Sequence, residues 1–332
     1  MKNKLPQIYI PPMAGVTDLV FRRLVRLVLG ELASSVLLST EMISSKGIMY
    51  QENPTRMRLA DDEQGKVIIQ LFGHEPAVMA EAAQIAEKAG ASGIDINMGC
   101  PVPKIVNGKD GAALMKEPSL AENIVREVVS AVDIPVSVKT RLGWNEQNKN
   151  IAEFALRLQD AGIKFLTIHG RTRSQAYTGK ANWLEIAKVK EILEIPVFAN
   201  GDIDSPTTAQ EALKTTNAHG LACARATIGN PWVILNIAKK LAGQDNLTEP
   251  TVEDRLKVAL LHTQLAYEDK GERGVQALKR HFSKYVSGIK TASVWRQKLA
   301  LAPNYAEIKN ILEQMLELDL KTTFDIPKIA LL

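Results

Sequence analysis

Eight short apolar runs rich in β-branched residues recur along the first two thirds of the chain. They cover Gln7–Ile10, Val36–Ser39, Val67–Leu71, Gly93–Asn97, Val136–Lys139, Phe165–His169, Val197–Asn200 and Gly220–Cys223. Their starts lie 23 to 43 residues apart, which leaves room for one strand and one crossover helix each time. Seven of them are nearly continuous in apolar residues, as is typical of strands buried on both faces of a parallel sheet. The spacing therefore predicts an α/β fold built from eight β-α units.

The segments between the runs have the apolar spacing of amphipathic helices. Predicted helices cover Asp18–Leu29, Glu75–Ala89, Pro118–Val132, Ile151–Ala161, Trp183–Leu193 and Ser205–Leu213. Thr17 is the predicted N-cap of the first helix. A doubly wound open sheet is the alternative fold, but eight parallel units without an antiparallel edge strand favour a closed (β/α)8 TIM barrel.

The pattern changes after residue 242. Residues 242–250 (AGQDNLTEP) are polar with Gly and Pro and predict a linker. Only helical periods follow: one over Arg255–Tyr267, one with the apolar stripe Val275, Leu278, Phe282, Val286 and Ile289, and one marked by Ile308, Ile311, Leu312, Met315 and Leu316. The sequence predicts a catalytic barrel over residues 1–243 and a C-terminal all-helical domain over residues 250–332.

Composition excludes several classes of protein. A hydrophobic fraction of 45% with a net charge of only +4 over 332 residues argues against disorder. No apolar run approaches the ~18–20 residues that span a bilayer. Two cysteines, Cys100 and Cys223, are too few for a disulfide framework or a Cys-rich zinc site. We expect a soluble cytoplasmic protein with no metal site, no membrane contact and no sign of an obligate protein partner.

Polar residues end several of the apolar runs, where a closed α/β barrel keeps its reactive groups. They are Gln70, Asn97, Lys139, His169 and Asn200. One such residue is commonly a strand end that meets solvent, but five at one mouth favour a binding site. Lys139 is costly to bury unpaired, so it calls for an anionic ligand or for a salt bridge to a carboxylate such as Glu41.

Two neighbouring segments suit a phosphate group. Asn200-Gly201-Asp202 and Ala224-Arg225 follow the seventh and eighth predicted strands, where barrels of this kind often bind phosphate on backbone N–H groups beside a cation. Gly201 allows close approach of the backbone, and Arg225 offers a bidentate fork.

Cys100 lies between Gly99 and Pro101 on the loop after the fourth predicted strand. A lone cysteine is commonly a small buried hydrophobe, which is how we interpret Cys223. At the barrel mouth, a thiol with an ordinary pKa near 8.5 is mostly protonated at neutral pH and can donate a proton. A Cys–His nucleophile pair with His169 is conceivable, but no acyl-transfer motif accompanies it.

Motifs along the whole barrel resemble those of the tRNA-dihydrouridine synthases. They are PPMAGVTD at 11–18, QLFG at 70–73, DINMGCPVPKIVNGKDGAALM at 95–115, VKTRLGW at 138–144, TIHGRTRSQAYTGKANW at 167–183 and FANGDI at 198–203. The resemblance implies an enzyme that uses FMN and NADPH to reduce the C5=C6 bond of particular uridines in tRNA. It also implies that Cys100 protonates C5 while reduced FMN gives hydride to C6.

The resemblance assigns further site residues. Asn97 matches a contact to the target uracil, and Lys139 and His169 match a basic pair beside the flavin. The flavin-ring contacts match Pro12, Met13, Ala14 and Gln70; the phosphate and ribityl contacts match Asn200, Gly201, Asp202 and Arg225. The family usually has Gly where this chain has Ala224, and the methyl group of the alanine can crowd the phosphate.

Basic residues cluster in one segment of the helical region. Residues 271–298 contain seven Lys or Arg and one acid, Glu272, although the whole chain is only +4. Arg273, Arg280 and Lys284 fall opposite the apolar stripe and predict a tRNA-backbone contact, a solvated helix face being the alternative. The predicted substrate-binding track continues on the barrel through Lys104, Lys109, Arg141, Arg171, Arg173 and Lys180.

Other functions remain open at this point. A flavin-dependent oxidoreductase of a free pyrimidine, similar to dihydroorotate dehydrogenases, needs no basic extra domain. A non-catalytic RNA-binding barrel does not need Cys100, Lys139 and His169. A phosphosugar isomerase fits the phosphate corner alone.

Overall fold

The computed structural model describes residues 8–50, 63, 66–289 and 291–320. Gln7 and Lys290, which the sequence analysis included in a strand and in the basic segment, lie outside the described residues. Eight parallel strands close into one barrel in the order of the chain, and β8 pairs back onto β1. The strands are β1 Ile8–Ile10, β2 Val36–Ser44, β3 Val67–Phe72, β4 Gly93–Met98, β5 Val136–Arg141, β6 Phe165–His169, β7 Val197–Asn200 and β8 Gly220–Ala222. The predicted (β/α)8 barrel is confirmed.

Helices alternate with the strands; the apolar periods predicted six of them, but not the two short helices on loops or the helix after β8. They are α1 Leu19–Leu29, α2 Ser45–Met49, α3 Pro76–Lys88, α4 Pro103–Asn107, α5 Pro118–Ala131, α6 Ile151–Asp160, α7 Trp183–Ile192, α8 Pro206–Thr216 and α9 Trp232–Leu241. Helices α2 and α4 lie on the loops after β2 and β4, on the side of the barrel that carries the polar strand ends.

The N-cap of α1 differs from the prediction. Asp18, and not Thr17, caps the helix, with its carboxylate accepting from the N–H of Phe21 at 3.1 Å. Thr17 is buried and its hydroxyl accepts from the N–H of Met13 at 3.1 Å. The threonine therefore shapes the loop after β1, which leaves the following aspartate to satisfy the free N–H groups of the first helical turn.

The lower part of the barrel interior is an apolar plug. It consists of Tyr9, Ile68, Phe165, Phe198 and Ala222, and the Phe165 ring lies 5.2 Å from that of Phe198 and 6.2 Å from that of Tyr9. Because side chains alternate along a strand, the inward positions two and four residues further on lie above this plug. Those positions include Gln70, Thr167, His169 and Asn200. The alternation of residues along the strands therefore places a polar layer above the apolar plug.

Contacts divide the chain into two units. The first runs to Thr227 and includes Val233–Asn246, and the second includes Ile228–Trp232 and the chain from Leu247 onward. The helices of the C-terminal region are α10 Val252–Lys270, α11 Glu272–Ala277, α12 Lys279–Tyr285, α13 Ala292–Leu301 and α14 Tyr305–Leu320. This confirms a helical region after the barrel; the limits 1–243 and 250–332 remain a prediction.

One predicted helix of this region is two helices. The helix is interrupted at Leu278, whose N–H is shared between the carbonyls of Gly274 and Val275. Gly274 lies so close to α10 that a Cβ there would clash with the Ala266 carbonyl oxygen. The apolar stripe still packs inward, with Phe282 buried, while α13 was missed because its face is only weakly apolar.

Among the described residues, no helix has the length and apolar character needed to cross a membrane.

Candidate active site at the mouth of the barrel

A chain of hydrogen bonds crosses the barrel interior below the mouth. Asp95, fully buried on β4, accepts from Gln70 Nε2 at 2.5 Å and from Ser137 Oγ at 2.6 Å. Asn97 Nδ2 donates to Gln70 Oε1 at 2.7 Å. Asn97 Oδ1 accepts from the backbone N–H of Gly99 at 3.1 Å and of Cys100 at 2.9 Å. The two amides predicted to contact ligands thus also form the support for the cysteine turn.

Cys100 is held on both sides of its backbone. Its carbonyl accepts from the N–H of Ala112 at 3.1 Å. Gly111 has φ +60°, and a Cβ there would lie 2.9 Å from the Cys100 carbonyl oxygen and 3.1 Å from its Cβ. The thiol is half-buried, and burial raises its pKa against the weaker opposing effects of the Val102 backbone, Arg141 and Lys139. At neutral pH the group is a thiol, which is the form that can donate a proton.

Arg141 ties the cysteine turn to the loop after β6. Its Nε donates to the Gly99 carbonyl at 2.8 Å, and its Nη1 donates to the carbonyls of Thr172 at 2.9 Å and Ala176 at 2.8 Å. Burial lowers its pKa to about 10, so the guanidinium remains charged at neutral pH. Three backbone bonds give this predicted substrate contact a clear role in holding two loops together.

Lys139 lies on β5, two residues before Arg141 at the end of that strand. Burial, and then the Arg141 charge, lower its pKa to about 8, with Asp95 and Cys100 opposing that shift. Within the described part of the chain, no hydrogen bond or ion pair engages its ammonium group. The carboxylate of Glu41 instead accepts from the N–H of Gly15 at 2.5 Å. Among the described residues, the salt bridge that the sequence left open is therefore not formed, and Lys139 suits an anionic ligand.

His169 is a neutral imidazole next to this cation. It is buried, and burial together with Lys139, Arg141, Arg171 and Arg225 holds its pKa far below the usual range. Gly201, with φ +113°, packs on its ring: a Cβ there would lie 2.8 Å from His169 Cδ2 and 2.7 Å from Ala181 Cβ. Only glycine fits there, because the His169 ring and Ala181 already fill the space that a side chain would take.

Asp202 and Arg171 form an internal bridge between two mouth loops. Arg171 is 2% exposed, and its Nη2 donates to Asp202 Oδ2 and to the Gly179 carbonyl, both at 2.6 Å. Asp202 Oδ2 also accepts from the N–H of Ala181 at 2.7 Å. Arg171 is thus buried and paired within the mouth loops, and its contact with RNA stays a prediction.

Arg225 and Tyr177, a tyrosine that sequence analysis missed, lie close together at the corner of the mouth that was predicted to bind phosphate. The Arg225 side chain is 52% exposed, and its guanidinium carbon lies 4.6 Å from the ring centre of Tyr177. Tyr177 is 55% exposed, with its ring 6.3 Å from that of His169. The sequence signal that could have identified Tyr177 is an aromatic residue within a polar loop. Ala224 accepts from Thr227 through its carbonyl, and Asn200 Nδ2 donates to the Ala222 carbonyl at 2.6 Å.

The remaining predicted contacts lie on mouth loops. Pro12 and Met13 are half-buried and Ala14 is exposed on the loop after β1, while Lys104 and Lys109 are exposed beyond Cys100.

Trp144 organises a further part of the mouth. Arg173 is half-buried over its ring, and Lys116 also lies over it, both at 4.6 Å from the ring centre.

Thr167 is a second residue that sequence analysis missed. It is fully buried on β6, directly opposite Lys139 in the strand register. Its Oγ1 has no hydrogen-bond partner among the described residues. Its position two residues before His169 puts it on the same inward face, which was the available signal.

Fold and site together define a class of protein: a (β/α)8 barrel enzyme whose mouth carries a protonated thiol, a lysine without an ion-pair partner among the described residues, and a neutral histidine. The family model "Dihydrouridine synthase (Dus)" matches residues 9–320. The chain belongs to this family, which makes it an oxidoreductase, as the sequence motifs predicted.

Relatives of known name agree. A "Probable tRNA-dihydrouridine synthase 1" of Synechocystis sp. is 45% identical over 303 residues, which cover 91% of this chain and 84% of that protein. A "tRNA-dihydrouridine synthase B" of Vibrio vulnificus is 38% identical over 299 residues, which cover 90% of each chain. Among solved structures, a 2-naphthoyl-CoA reductase complex aligns with a TM-score of 0.53 at 12% identity, over 74% of this chain and 53% of that one. This likeness concerns the barrel fold alone.

Proposed function

We propose that this protein reduces the C5=C6 bond of uridines in tRNA to give 5,6-dihydrouridine, with FMN bound at the barrel mouth and NADPH as the reductant. The observation that carries the proposal is Cys100: a thiol kept protonated by burial, with its backbone fixed at both the N–H and the carbonyl. Family membership and the names of the relatives support tRNA as the substrate.

The donor set at the mouth fits FMN. The Lys139 ammonium, which has no ion-pair partner in the described residues, suits the negative charge of a reduced flavin ring. The turn at Gly201 after β7 and the exposed guanidinium of Arg225 suit a phosphate. Neutral His169 can accept or donate a hydrogen bond without adding charge. The buried Oγ1 of Thr167 has no partner among the described residues, which supports a bound ligand as a further hydrogen-bond partner for this polar layer.

FMN held beside Lys139 and Arg225 and reduced by NADPH would supply the hydride for C6 of uracil. The addition leaves negative charge on the uracil, and the Cys100 thiol gives its proton to C5 to complete the reduction. The resulting thiolate regains a proton from water. Asn97 holds the turn that aims the thiol, and the Lys139 cation stabilises negative charge at the mouth.

A uridine inside folded tRNA reaches a barrel mouth only when it is flipped out of its stack. Exposed cations on the mouth loops, Lys104, Lys109 and Lys180, suit the flanking phosphates. Arg273, Arg280 and Lys284 are exposed on α11 and α12, and we propose the region 250–332 as the main tRNA-binding domain. The substrate makes the cytoplasm the proposed site of action.

Nucleoside analysis tests the function. The purified protein, incubated with NADPH and tRNA from a strain that lacks its gene, should generate dihydrouridine that mass spectrometry detects. Free uracil and orotate serve as competing substrates. Turnover of a free pyrimidine without turnover of tRNA would favour the dihydroorotate dehydrogenase-like alternative. Tight tRNA binding by a preparation that takes up no flavin would favour a non-catalytic RNA-binding barrel.

A further inference from the structure

A buried carboxylate that touches none of the reacting groups lies at the start of the hydrogen-bond chain to Cys100. Asp95 is fully buried, and its Cα pairs in register with Gln70 on β3 and with Ser137 on β5. The two neighbours donate to different oxygens, Gln70 to Oδ2 and Ser137 to Oδ1. The three central residues therefore come from adjacent strands, whose backbone pairing fixes their spacing.

The carboxylate fixes which way the Gln70 amide faces. An ionised carboxylate only accepts hydrogen bonds, so the NH2 end of the Gln70 amide must face it. The reversed amide would set Oε1 against a carboxylate oxygen at the 2.5 Å separation now occupied by a donor. The Gln70 Oε1 atom is thereby left to face Asn97.

The same logic passes one residue further. Gln70 Oε1 is an acceptor, so it selects the NH2 end of Asn97, which lies 2.7 Å away. Asn97 Oδ1 is then turned toward the N–H groups of Gly99 and Cys100. A reversed Asn97 would set its NH2 against two backbone donors and would leave all three unsatisfied.

We propose that Asp95 is a positioning residue for the reduction: by orienting Gln70, and through it Asn97, it holds the backbone turn that carries Cys100. Its bearing on catalysis rests on the proposed function, whereas the orientation of the turn does not. The simpler alternative is that Asp95 only satisfies two buried donors, in which case its hydrogen bonds with Ser137 and Gln70 are equally important. The two roles predict different results. If Asp95 is a positioning residue, a change at Asp95 alters the Cys100 turn through Gln70; if it only satisfies buried donors, the turn is not affected.

Hydrogen exchange of the peptide 97–101 and alkylation of Cys100 by iodoacetamide measure the state of the turn without flavin turnover or RNA. Cys223, fully buried, is an internal control for unfolding. Asp95→Leu frees the Gln70 amide to turn, and both rates should rise by about 2- to 12-fold, the worth of the neutral hydrogen bond between Gln70 and Asn97. Ser137→Ala leaves Gln70 on its acceptor and should leave both rates unchanged.

Asp95→Asn should restore wild-type rates. The asparagine keeps an oxygen for Gln70 and turns its NH2 toward Ser137, whose hydroxyl can donate instead to the Ile94 carbonyl, 3.4 Å away. Wild-type rates in Asp95→Asn beside raised rates in Asp95→Leu are the pattern of an acceptor that sets orientation. Equal increases in both variants would overturn the proposal.

The route through Gln70 is tested by a double-mutant cycle. Gln70→Leu alone should raise the two rates as Asp95→Leu does, and Asp95→Leu should add nothing in that background. Additive effects, or no effect of either change, would refute the proposal. Where Asp95→Leu does not fold, Gln70→Leu and Asp95→Asn still decide it. Reduction of tRNA is assayed separately, so failure of the proposed function leaves these rates interpretable.

Discussion

Cys100→Ala removes one reactive atom and leaves the turn that carries it. The bonds that hold the residue join its backbone N–H to Asn97 and its backbone carbonyl to Ala112, and neither uses Sγ. We therefore expect flavin content and tRNA affinity to match the wild type, while proton delivery to C5 is lost.

The size of the loss follows from the state of the thiol. Burial raises the Cys100 pKa above its ordinary value, which is near 8.5, so at most about 3% of it is thiolate at pH 7. A positioned general acid contributes on the order of 10²–10⁴ in rate, which corresponds to about 3–5 kcal/mol of activation free energy. The reduction of tRNA by Cys100→Ala should slow by that factor.

The pH dependence has a defined sign. Cys100 acts in its protonated form, so its contribution persists through neutral pH and falls as pH rises through its raised pKa. Lys139 titrates lower, near its pKa of about 8, and affects wild type and Cys100→Ala alike. The ratio of their two rates should therefore stay level across pH 8 and decline only at higher pH.

Stopped-flow absorbance separates the two half-reactions. Reduction of the bound flavin by NADPH should be equal in wild type and Cys100→Ala and serves as the control. Reoxidation by tRNA should be slow in the variant. Reoxidation at near wild-type speed would show that Cys100 is structural and that the acid lies elsewhere.

Three further changes separate the roles of the cations. Lys139→Ala should slow both NADPH oxidation and tRNA reduction, because it removes charge compensation at the mouth; an effect on tRNA reduction alone would contradict that role. Arg225→Ala should lower the flavin content of the purified protein through loss of a phosphate fork, and full occupancy would remove Arg225 from the phosphate site. The triple alanine variant of Arg273, Arg280 and Lys284 should flatten the log–log salt dependence of tRNA binding by up to about 2–3 units. NADPH oxidation without tRNA should not change in it, and an unaltered salt slope would transfer RNA binding to the barrel loops.

The barrel was predictable because its determinants are local. Each strand core is an apolar run, and each crossover helix has its own 3.6-residue period. Helix ends were less predictable where a neighbouring element decides them. Thr17 looks like a cap, but its hydroxyl binds Met13, and α8 continues past Leu213 because the Thr216 hydroxyl binds the Ala212 carbonyl at 2.7 Å and its side chain is buried.

The types of residue at the mouth were predictable, and their partners were not. Position at a strand end identified Lys139 and His169. Burial of Arg171 depends on Asp202, 31 residues away on another loop, and only the closed barrel brings the two together. The same holds for Asp95 and Gln70, which are 25 residues apart and become neighbours through strand pairing.

The polar layer over the apolar plug has a thermodynamic consequence. Thr167 Oγ1 is buried without a partner in the described chain, and Lys139 is a desolvated cation, so the ligand-free fold carries a free-energy cost that the plug beneath must offset. A ligand that satisfies these groups binds the folded chain and not the unfolded one. Resistance of the barrel to heat and denaturant is therefore linked by mass action to the concentration of that ligand. Two preparations of the same chain with different cofactor loading will melt at different temperatures.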